Sequence, residues 1–302
     1  MSRSSVLAHI VRDDDGTSKG VWGPFVLKSA FQPIFAFHHG KLSIAAFEGL
    51  IRPLRNDVPV PPTSFFAALP AMDRFHVETL TRTLHLINAA ACLPRETAIF
   101  VNFDPSVFID RVIADAALSD MRITLNEVGI DPGRVVCEVT EQKSGSQEAL
   151  YEFVQALRVN GFRIAVDDYG AADSDIDRIK ALRPEIVKFD AHWITNLMES
   201  GPGFGLLSAM VEIFTGRGIT TVFEGIEENW QLELAEKSGA SMVQGYVLAR
   251  PEIAPTSFAS FPTVAMPVAG LPRRAEPLVA KQRPAVPQIR PGTRTFGRKV
   301  VP

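Results

Sequence analysis

Cysteine is nearly missing from this chain: its 302 residues carry two, Cys92 and Cys137. Their spacing is no zinc pattern. Their apolar surroundings read as two buried free thiols, which suits a reducing compartment. Apolar runs of membrane-spanning length are also missing, since the longest are strand-length. The first twenty residues lack the apolar stretch of a secretory signal and carry Asp13, Asp14 and Asp15 instead. These absences give the expectation of a cytoplasmic protein with no membrane span. Positive charge is not in excess: 31 Lys and Arg against 34 Asp and Glu give a formal net charge of -3. Nucleic-acid binding driven by overall charge is therefore excluded. A negative protein that handles a polyanion needs a local cation source, either a basic patch or a metal.

What the chain does have is apolar residues, 46% of the total, in a length that suits one α/β barrel. Three regions differ in composition. Residues 1–23 read as a polar leader. Residues 24–257 alternate short apolar runs with amphipathic stretches. Residues 258–302 form a Pro-rich tail with scattered basic residues (Arg273, Arg274, Lys281, Arg283, Arg290, Arg294, Arg298 and Lys299). Repeated proline prevents regular structure there, so the tail is expected to be disordered, with a protein partner as its candidate contact.

The middle region reads as strand-then-helix units. Candidate strands are Ser29–Phe37, Ile44–Ile51, Ala98–Phe103, Val135–Thr140, Arg163–Asp168, Ile186–Phe189, Thr220–Glu224 and Met242–Leu248, with β-branched or aromatic cores. Helical patterns lie between them, as in Gln147–Asn160, where Leu150, Phe153, Val154 and Leu157 share a face and Gly161 supplies the C-terminal stop. Two helices are expected within Val58–Pro94, with Phe65, Phe66 and Phe75 packing them. Such alternation points to a parallel sheet closed into a barrel. The link His38–Ser43 is too short for a helical crossover, so the first two strands should pair antiparallel. The expected fold is a modified (β/α)8 TIM barrel with an antiparallel first strand.

The polar residues fall in a telling place. Glu48, Asn102, Glu138, Asp167, Asp168, Lys188, Glu224 and Gln244 each lie within or at the end of an apolar strand run. Taken singly they are bland: a strand-end Glu is usually a surface ion pair, an Asp-Asp a turn, a lone Lys a solvated charge. Together, several acids at one barrel mouth repel each other, and a divalent cation neutralises them. Oxygen donors without His or thiolate select Mg²⁺, Mn²⁺ or Ca²⁺ over zinc. The C-terminal face of a barrel is where chemistry occurs.

These residues carry a resemblance. Phe47-Glu48-Gly49-Leu50-Ile51-Arg52 resembles the E-A-L-x-R signature of EAL domains, which hydrolyse cyclic di-GMP in bacteria. Phe31-Gln32-Pro33-Ile34 resembles the family's opening strand, and Val101-Asn102-Phe103-Asp104-Pro105 its V-N-L-S-P. Glu138-Val139-Thr140-Glu141, Asp167-Asp168-Tyr169-Gly170, Val187-Lys188-Phe189-Asp190 and Glu224-Gly225-Ile226-Glu227 are similar to E-x-T-E, D-D-F-G, L-K-I-D and E-G-V-E. Gln244-Gly245-Tyr246 with Arg250-Pro251 is similar to Q-G-Y-x-x-x-R-P. The match runs in order over about residues 24–255.

The resemblance implies a cyclic-guanylate-specific phosphodiesterase that yields linear pGpG. It implies two ions, Mg²⁺ or Mn²⁺, with Ca²⁺ as an inhibitory occupant. Glu48, Asn102, Glu138 and Asp167 would hold one ion, and Asp167 would bridge to a second held by Asp168 and Glu224. Lys188 would orient the attacking water, with Glu224 or Glu227 as base or outer support. Gln32, Leu50, Arg52, Gln244 and Pro251 would contact the substrate, the Arg52 fork suiting a phosphate. Glu141 would anchor the loop after Asp168, which the family also uses for homodimer contact. Two departures stand out. The signature alanine is Gly49, and the loop reads Gly170-Ala171-Ala172-Asp173-Ser174-Asp175 in place of G-[TS]-G-Y-S-S. The loop change is expected to lower metal affinity, turnover or dimerisation. Two other readings compete. One is a catalytically silent EAL module that binds cyclic di-GMP or a partner. The other is a two-carboxylate glycosidase, for which Asn102, the Asp pair and Lys188 have no place.

Overall fold

The structure is a computed structural model that describes residues 6–38, 40–104, 111–140, 147–171 and 176–266. The strands in chain order are β1 (Ile10–Arg12), β2 (Ser18–Trp22), β3 (Phe25–His38), β4 (Lys41–Arg55), β5 (Val58–Pro59), β6 (Ala98–Phe103) and β7 (Val135–Thr140). They continue with β8 (Arg163–Tyr169), β9 (Ile186–Phe189), β10 (Thr220–Phe223), β11 (Met242–Val243) and β12 (Glu252–Ile253). The helices are α1 (Pro62–Ala67), α2 (Ala71–Cys92), α3 (Arg111–Val128), α4 (Gln147–Val159), α5 (Ile176–Leu182), α6 (Ala191–Met198), α7 (Gly201–Gly216) and α8 (Asn229–Ser238).

Eight strands close a barrel in the order β3-β11-β10-β9-β8-β7-β6-β4, with β4 returning to β3. Every neighbouring pair from β4 through β11 is parallel, while β3 runs antiparallel to both β4 and β11. The cause is local. The β3–β4 link turns through Gly40 at φ 71°, and so short a link can only reverse the chain. The expected barrel with one reversed strand is the observed one.

Period-two alternation divides the core in two. Outward-facing strand residues such as Phe31, Phe47, Ile99, Cys137, Ile164 and Val187 pack against the helices. Inward-facing Ile34, Ala46, Phe100, Val136, Ala165, Ile186, Val222 and Met242 fill the lower barrel. Phe65 is fully buried and Phe75 packs against the outer core, as expected. Both cysteines are free, although Cys92 is only half-buried. No described helix is long and apolar enough to cross a membrane.

Several boundaries differ from expectation. Residues 10–22, read as part of a polar leader, form an antiparallel hairpin that extends β3. Its buried positions are Thr17, Ser18 and Gly20, small or polar rather than apolar, which hides the strand pattern. Gly20 is small because Leu27 and Leu84 press against it. Asn88 then holds Ser18 through both its amide oxygen and nitrogen, at 2.7 and 2.9 Å. The strand expected over Met242–Leu248 stops at Val243, because Gly245 turns tightly against the Ile226 backbone.

The tail begins later than residue 258. Phe258 is 3% exposed and its ring lies 5.7 Å from that of Phe47. Residues 262–264 pair with Ile44 through Ile44 N–H to Pro262 O at 2.8 Å and Val264 N–H to Ile44 O at 2.9 Å. Met266, 6% exposed, joins the lower barrel core. Residues 267–302, His39, Glu141 and Ala172–Asp175 lie outside the described residues.

Replacing a buried phenylalanine with alanine costs about 3–5 kcal/mol. Phe258→Ala is therefore expected to lower unfolding free energy by about 3 kcal/mol in urea titration. A loss below about 1 kcal/mol would show that the barrel does not rely on this segment.

Candidate functional site

The inward layer of the barrel changes character in one step. Two residues beyond each apolar floor position, toward the C-terminal mouth of the parallel strands, each of the eight strands or its immediate end carries a polar residue. They are Gln32, Glu48, Asn102, Glu138, Asp167, Lys188, Glu224 and Gln244. The pairing register places Gln32 beside Glu48 and Asn102 beside Glu138. Period two thus converts eight short sequence runs into one ring.

Lys188 sits within this ring, 1% exposed. Its Nζ is ion-paired with Glu138, with Glu224 Oε1 at 2.6 Å, with Asp167 Oδ1 at 3.3 Å and with Glu48 Oε2 at 3.6 Å. Gln244 Nε2 donates to Glu48 Oε2 at 2.9 Å. Burial would push the Lys188 ammonium down, but Asp167, Glu138, Glu224 and Glu48 outweigh it and hold the group charged. Burial pushes Glu138 well above the ordinary carboxylate range, against the pull of Lys188. It pushes Glu224 up to about 8, with Lys188 opposing and Asp167 reinforcing.

Asp168 joins the ring through a backbone irregularity. Neighbouring strand residues normally face opposite ways. Between Val166 and Tyr169 the register of β8 against β9 slips, and Asp168 adopts φ 57°. Aspartate tolerates this left-handed conformation better than most residues, and such a bulge re-aims side chains. As a result, carboxylate oxygens of Asp167, Asp168 and Glu224 lie within 4.8 Å of one another.

These residues fit divalent metal. With all five carboxylates ionised, the state that bound cations would favour, one ammonium leaves an excess of four negative charges, which two divalent cations would balance. Besides their ion pairs with Lys188, both oxygens of Glu138 and Oδ1 of Asp167 are buried with no hydrogen-bond partner among the described residues, and such atoms are costly unless something satisfies them. The donors are all oxygens, as hard cations require.

Beside the ring opens a cavity of about 470 Å³, lined among others by Leu50, Arg52, Arg74, Arg82, His85 and Asn102. Arg52 donates from Nη1 to its neighbour Ile51 O at 2.9 Å. Helix α2 faces this region with a buried polar stripe that sequence reasoning missed: Glu78, Arg82, His85 and Asn88, at intervals of three and four. That spacing puts them on one helix face, but gives no sign that the face is buried. Arg82 lies 4.3 Å over the Phe103 ring, 3.4 Å from Asn102 O and 3.6 Å from Glu78. Arg74 bonds Asp104 at 3.1 Å.

Not every expected residue reaches the ring. Gln32 is in it and also donates to Ala249 O at 3.3 Å. Pro251 is half-buried next to β12, on the rim. Glu227 is exposed, and among the described contacts its carboxylate makes none with the ring. Its backbone N–H bonds Gln231 Oε1 at 2.8 Å at the start of α8. Glu141 falls outside the described residues.

Comparison with known proteins bears on the family and the fold. Residues 26–251 match the EAL domain family. The probable cyclic di-GMP phosphodiesterase PdeA of Escherichia coli is 25% identical over 181 residues, 59% of this chain and 24% of its own length. The cyclic di-GMP phosphodiesterase RocR of Pseudomonas aeruginosa is 26% identical over 197 residues, 64% of this chain and 49% of its own length. The chain thus spans between a quarter and a half of these curated relatives. Among solved structures, Klebsiella pneumoniae BlrP1 with manganese and cyclic di-GMP aligns with TM-score 0.68 at 25% identity, covering 82% of this chain and 59% of that one. Bacillus subtilis YkuI, with cyclic di-GMP and calcium, aligns with TM-score 0.65 at 24% identity, covering 83% and 59%.

Two predictions follow from the charges. Mg²⁺ or Mn²⁺ at a hundred times its Kd should raise unfolding free energy by about 2.7 kcal/mol, and Asp167→Asn should remove most of that gain in a thermal melt. No metal effect on the wild type would sink the ring as a cation site. The second concerns His85, which burial, then Arg52 and Arg82, push down to about 3. Its folded value lies below its unfolded one. Its contribution is therefore complete above about pH 6.5 and is lost as pH falls toward 3, by up to about 1.4 kcal/mol per pH unit. His85→Gln should flatten the loss between pH 6.5 and 5 in urea titrations; an unchanged slope would refute this.

Proposed function

This chain belongs to the EAL-domain family, and from that premise we propose that it is a metal-dependent phosphodiesterase that opens one phosphodiester bond of cyclic di-GMP to give linear pGpG. The observation that carries the reading is the complete acidic ring around Lys188, with Asp168 drawn in by the β8 bulge. The named relatives, with their printed activity and their cyclic di-GMP complexes, support it.

Glu48, Asn102, Glu138 and Asp167 would hold one divalent ion, and Asp167, Asp168 and Glu224 the other. Such a pair, when bound, supplies charge for the phosphate oxygens and lowers the pKa of water. The chain's own residues do the rest. Arg52, at the cavity, clamps a phosphate with its planar fork. The cavity beside it receives one nucleotide half. Gln244 holds the Glu48 carboxylate in place. Lys188 Nζ, fixed between Glu138 and Glu224, orients the attacking water, and Glu224 is placed to take the proton that water loses. The new bond forms from water oxygen to phosphorus, the bond from phosphorus to the ribose 3′ oxygen breaks, and that oxygen takes up a proton. One water is consumed per bond opened.

One observation favours a second reading, a module that binds cyclic di-GMP without turnover: Ala171 and Ala172 replace the hydroxyl residue and glycine of the family loop. Incubation with cyclic di-GMP and Mg²⁺ or Mn²⁺, followed by chromatography, separates the two. The phosphodiesterase should release pGpG only with metal, and Glu48→Ala should slow release by about a hundredfold or more. Tight binding with no pGpG would favour the second reading.

A further inference from the structure

Glycine follows Glu48 in this chain, where the family signature has alanine, and the packing gives a reason. Gly49 lies on the outward face of β4, toward α2. A Cβ built on Gly49 would lie 3.0 Å from His85 Cγ and 3.2 Å from both His85 Cβ and Cδ2. The imidazole is therefore pressed against the strand where a side chain would otherwise stand. His85 is 4% exposed. Its Nδ1 lies 2.9 Å from Ser29 Oγ, and Ser29 Oγ accepts from Asn88 Nδ2 at 3.0 Å. Phe31, the register partner of Gly49, meets the ring edge-on at 6.3 Å between centroids. His85 is thus held from β3 on one side and seated on β4 on the other. The inward face of the same stretch of β4 carries Glu48 and Arg52.

We infer that His85 is a positioning residue: through the space left at Gly49 it fixes the segment of β4 that presents Glu48 to the ring and Arg52 to the cavity. This rests on the reading of Glu48 as a metal ligand. Residues that orient ligands from behind typically change metal affinity by 10–100-fold when lost. Tight packing is also sensitive to a single added methyl. His85 and Gly49 should therefore act as one unit.

The test is calorimetric titration of Mn²⁺ into the full chain, with urea unfolding measured alongside. It uses wild type, His85→Ala, His85→Gln, Gly49→Ala and the double variant Gly49→Ala with His85→Ala. His85→Ala is expected to weaken Mn²⁺ about tenfold, and Gly49→Ala to weaken it similarly. The double variant should return to within about threefold of wild type, because the methyl then occupies the vacated space. His85→Gln, which can keep a bond to Ser29, should stay within about threefold. A His85→Ala variant whose unfolding midpoint moves while Mn²⁺ affinity stays within about twofold would overturn the inference, as would single effects that simply add. Should His85→Ala fail to fold, Gly49→Ala and the double variant decide: unchanged affinity in Gly49→Ala overturns it. A wild type that binds no Mn²⁺ sinks the metal reading itself. A wild type that binds, with indifferent variants, sinks only the role of His85.

Discussion

One buried ammonium enclosed by carboxylates governs this molecule. Lys188 is almost fully covered, yet it faces Glu138, Glu224, Asp167 and Glu48 at once. A buried ion cluster of this kind is poor evidence for stability, because apolar residues of similar size usually do as well or better. Immediately below it the same eight strands supply an apolar floor, so the barrel could have continued apolar for another layer. It does not. A local rule is broken at the one level where all strands meet, which marks function rather than folding. The sign of the remaining charge then sets the class of ligand. A cluster of carboxylates that outnumber their one ammonium, with oxygen donors throughout, suits hard divalent cations, and such cations would let an acidic protein hold a polyanion.

The backbone serves that ring in two ways. Strand pleating delivers one residue per strand at one height, with no special conformation required. Asp168 is the exception, and it needs both the β8 slip and a left-handed φ. Around the mouth, close approaches hold the loops. Gly170 at φ 101° lies where a Cβ would be 2.5 Å from Trp193, and Gly225 at φ 60° where a Cβ would overlap Ala191. Trp193 and Ala191 both belong to the start of α6, which Asp190 caps by accepting from the Trp193 N–H at 2.8 Å. The segments after β8, β9 and β10 are therefore locked to each other through one helix start.

Much of this was legible in sequence, for a physical reason. Parallel strands buried on both faces read as apolar runs, so a charge at the end of each run stands out. Ala98–Phe103, Val135–Thr140 and Ile186–Phe189 were bounded as observed. What was illegible lay where burial uses small or distant partners. Ser18 and Gly20 look like a loose polar segment because their neighbours, Asn88, Leu27 and Leu84, are far along the chain or are read as belonging to something else. Met266 and Phe258 sit amid prolines, yet they close the lower barrel and pack on Phe47. The stripe Glu78, Arg82, His85 and Asn88 was hidden by the opposite bias, since buried polar residues on a helix look like its solvent face. Asp168 entered the expected set through the family pattern, but the bulge that brings its carboxylate beside those of Asp167 and Glu224 has no signature in composition or periodicity.

The two departures from the family pattern differ in kind because the ring and the loop have different supports. Gly49 is on a strand, and its altered side chain is answered within the fold by His85, which fills the space. A strand change of this sort can be compensated from behind without moving the ligands on the other face. Ala171 and Ala172 belong to a loop where the family pattern has a hydroxyl residue and a glycine, and Ala172 lies outside the described residues. The ligand set is thus evidence about cation binding, and the loop is evidence about how well a bound cation is used. A chain can hold the first and alter the second, since the strands that carry Glu48, Asn102, Glu138 and Lys188 do not run through the loop. Only Asp167 and Asp168 adjoin it. Any effect of the altered loop on bound cations would therefore enter through Asp167, which both proposed cation positions share, and through Asp168, which depends on the β8 bulge.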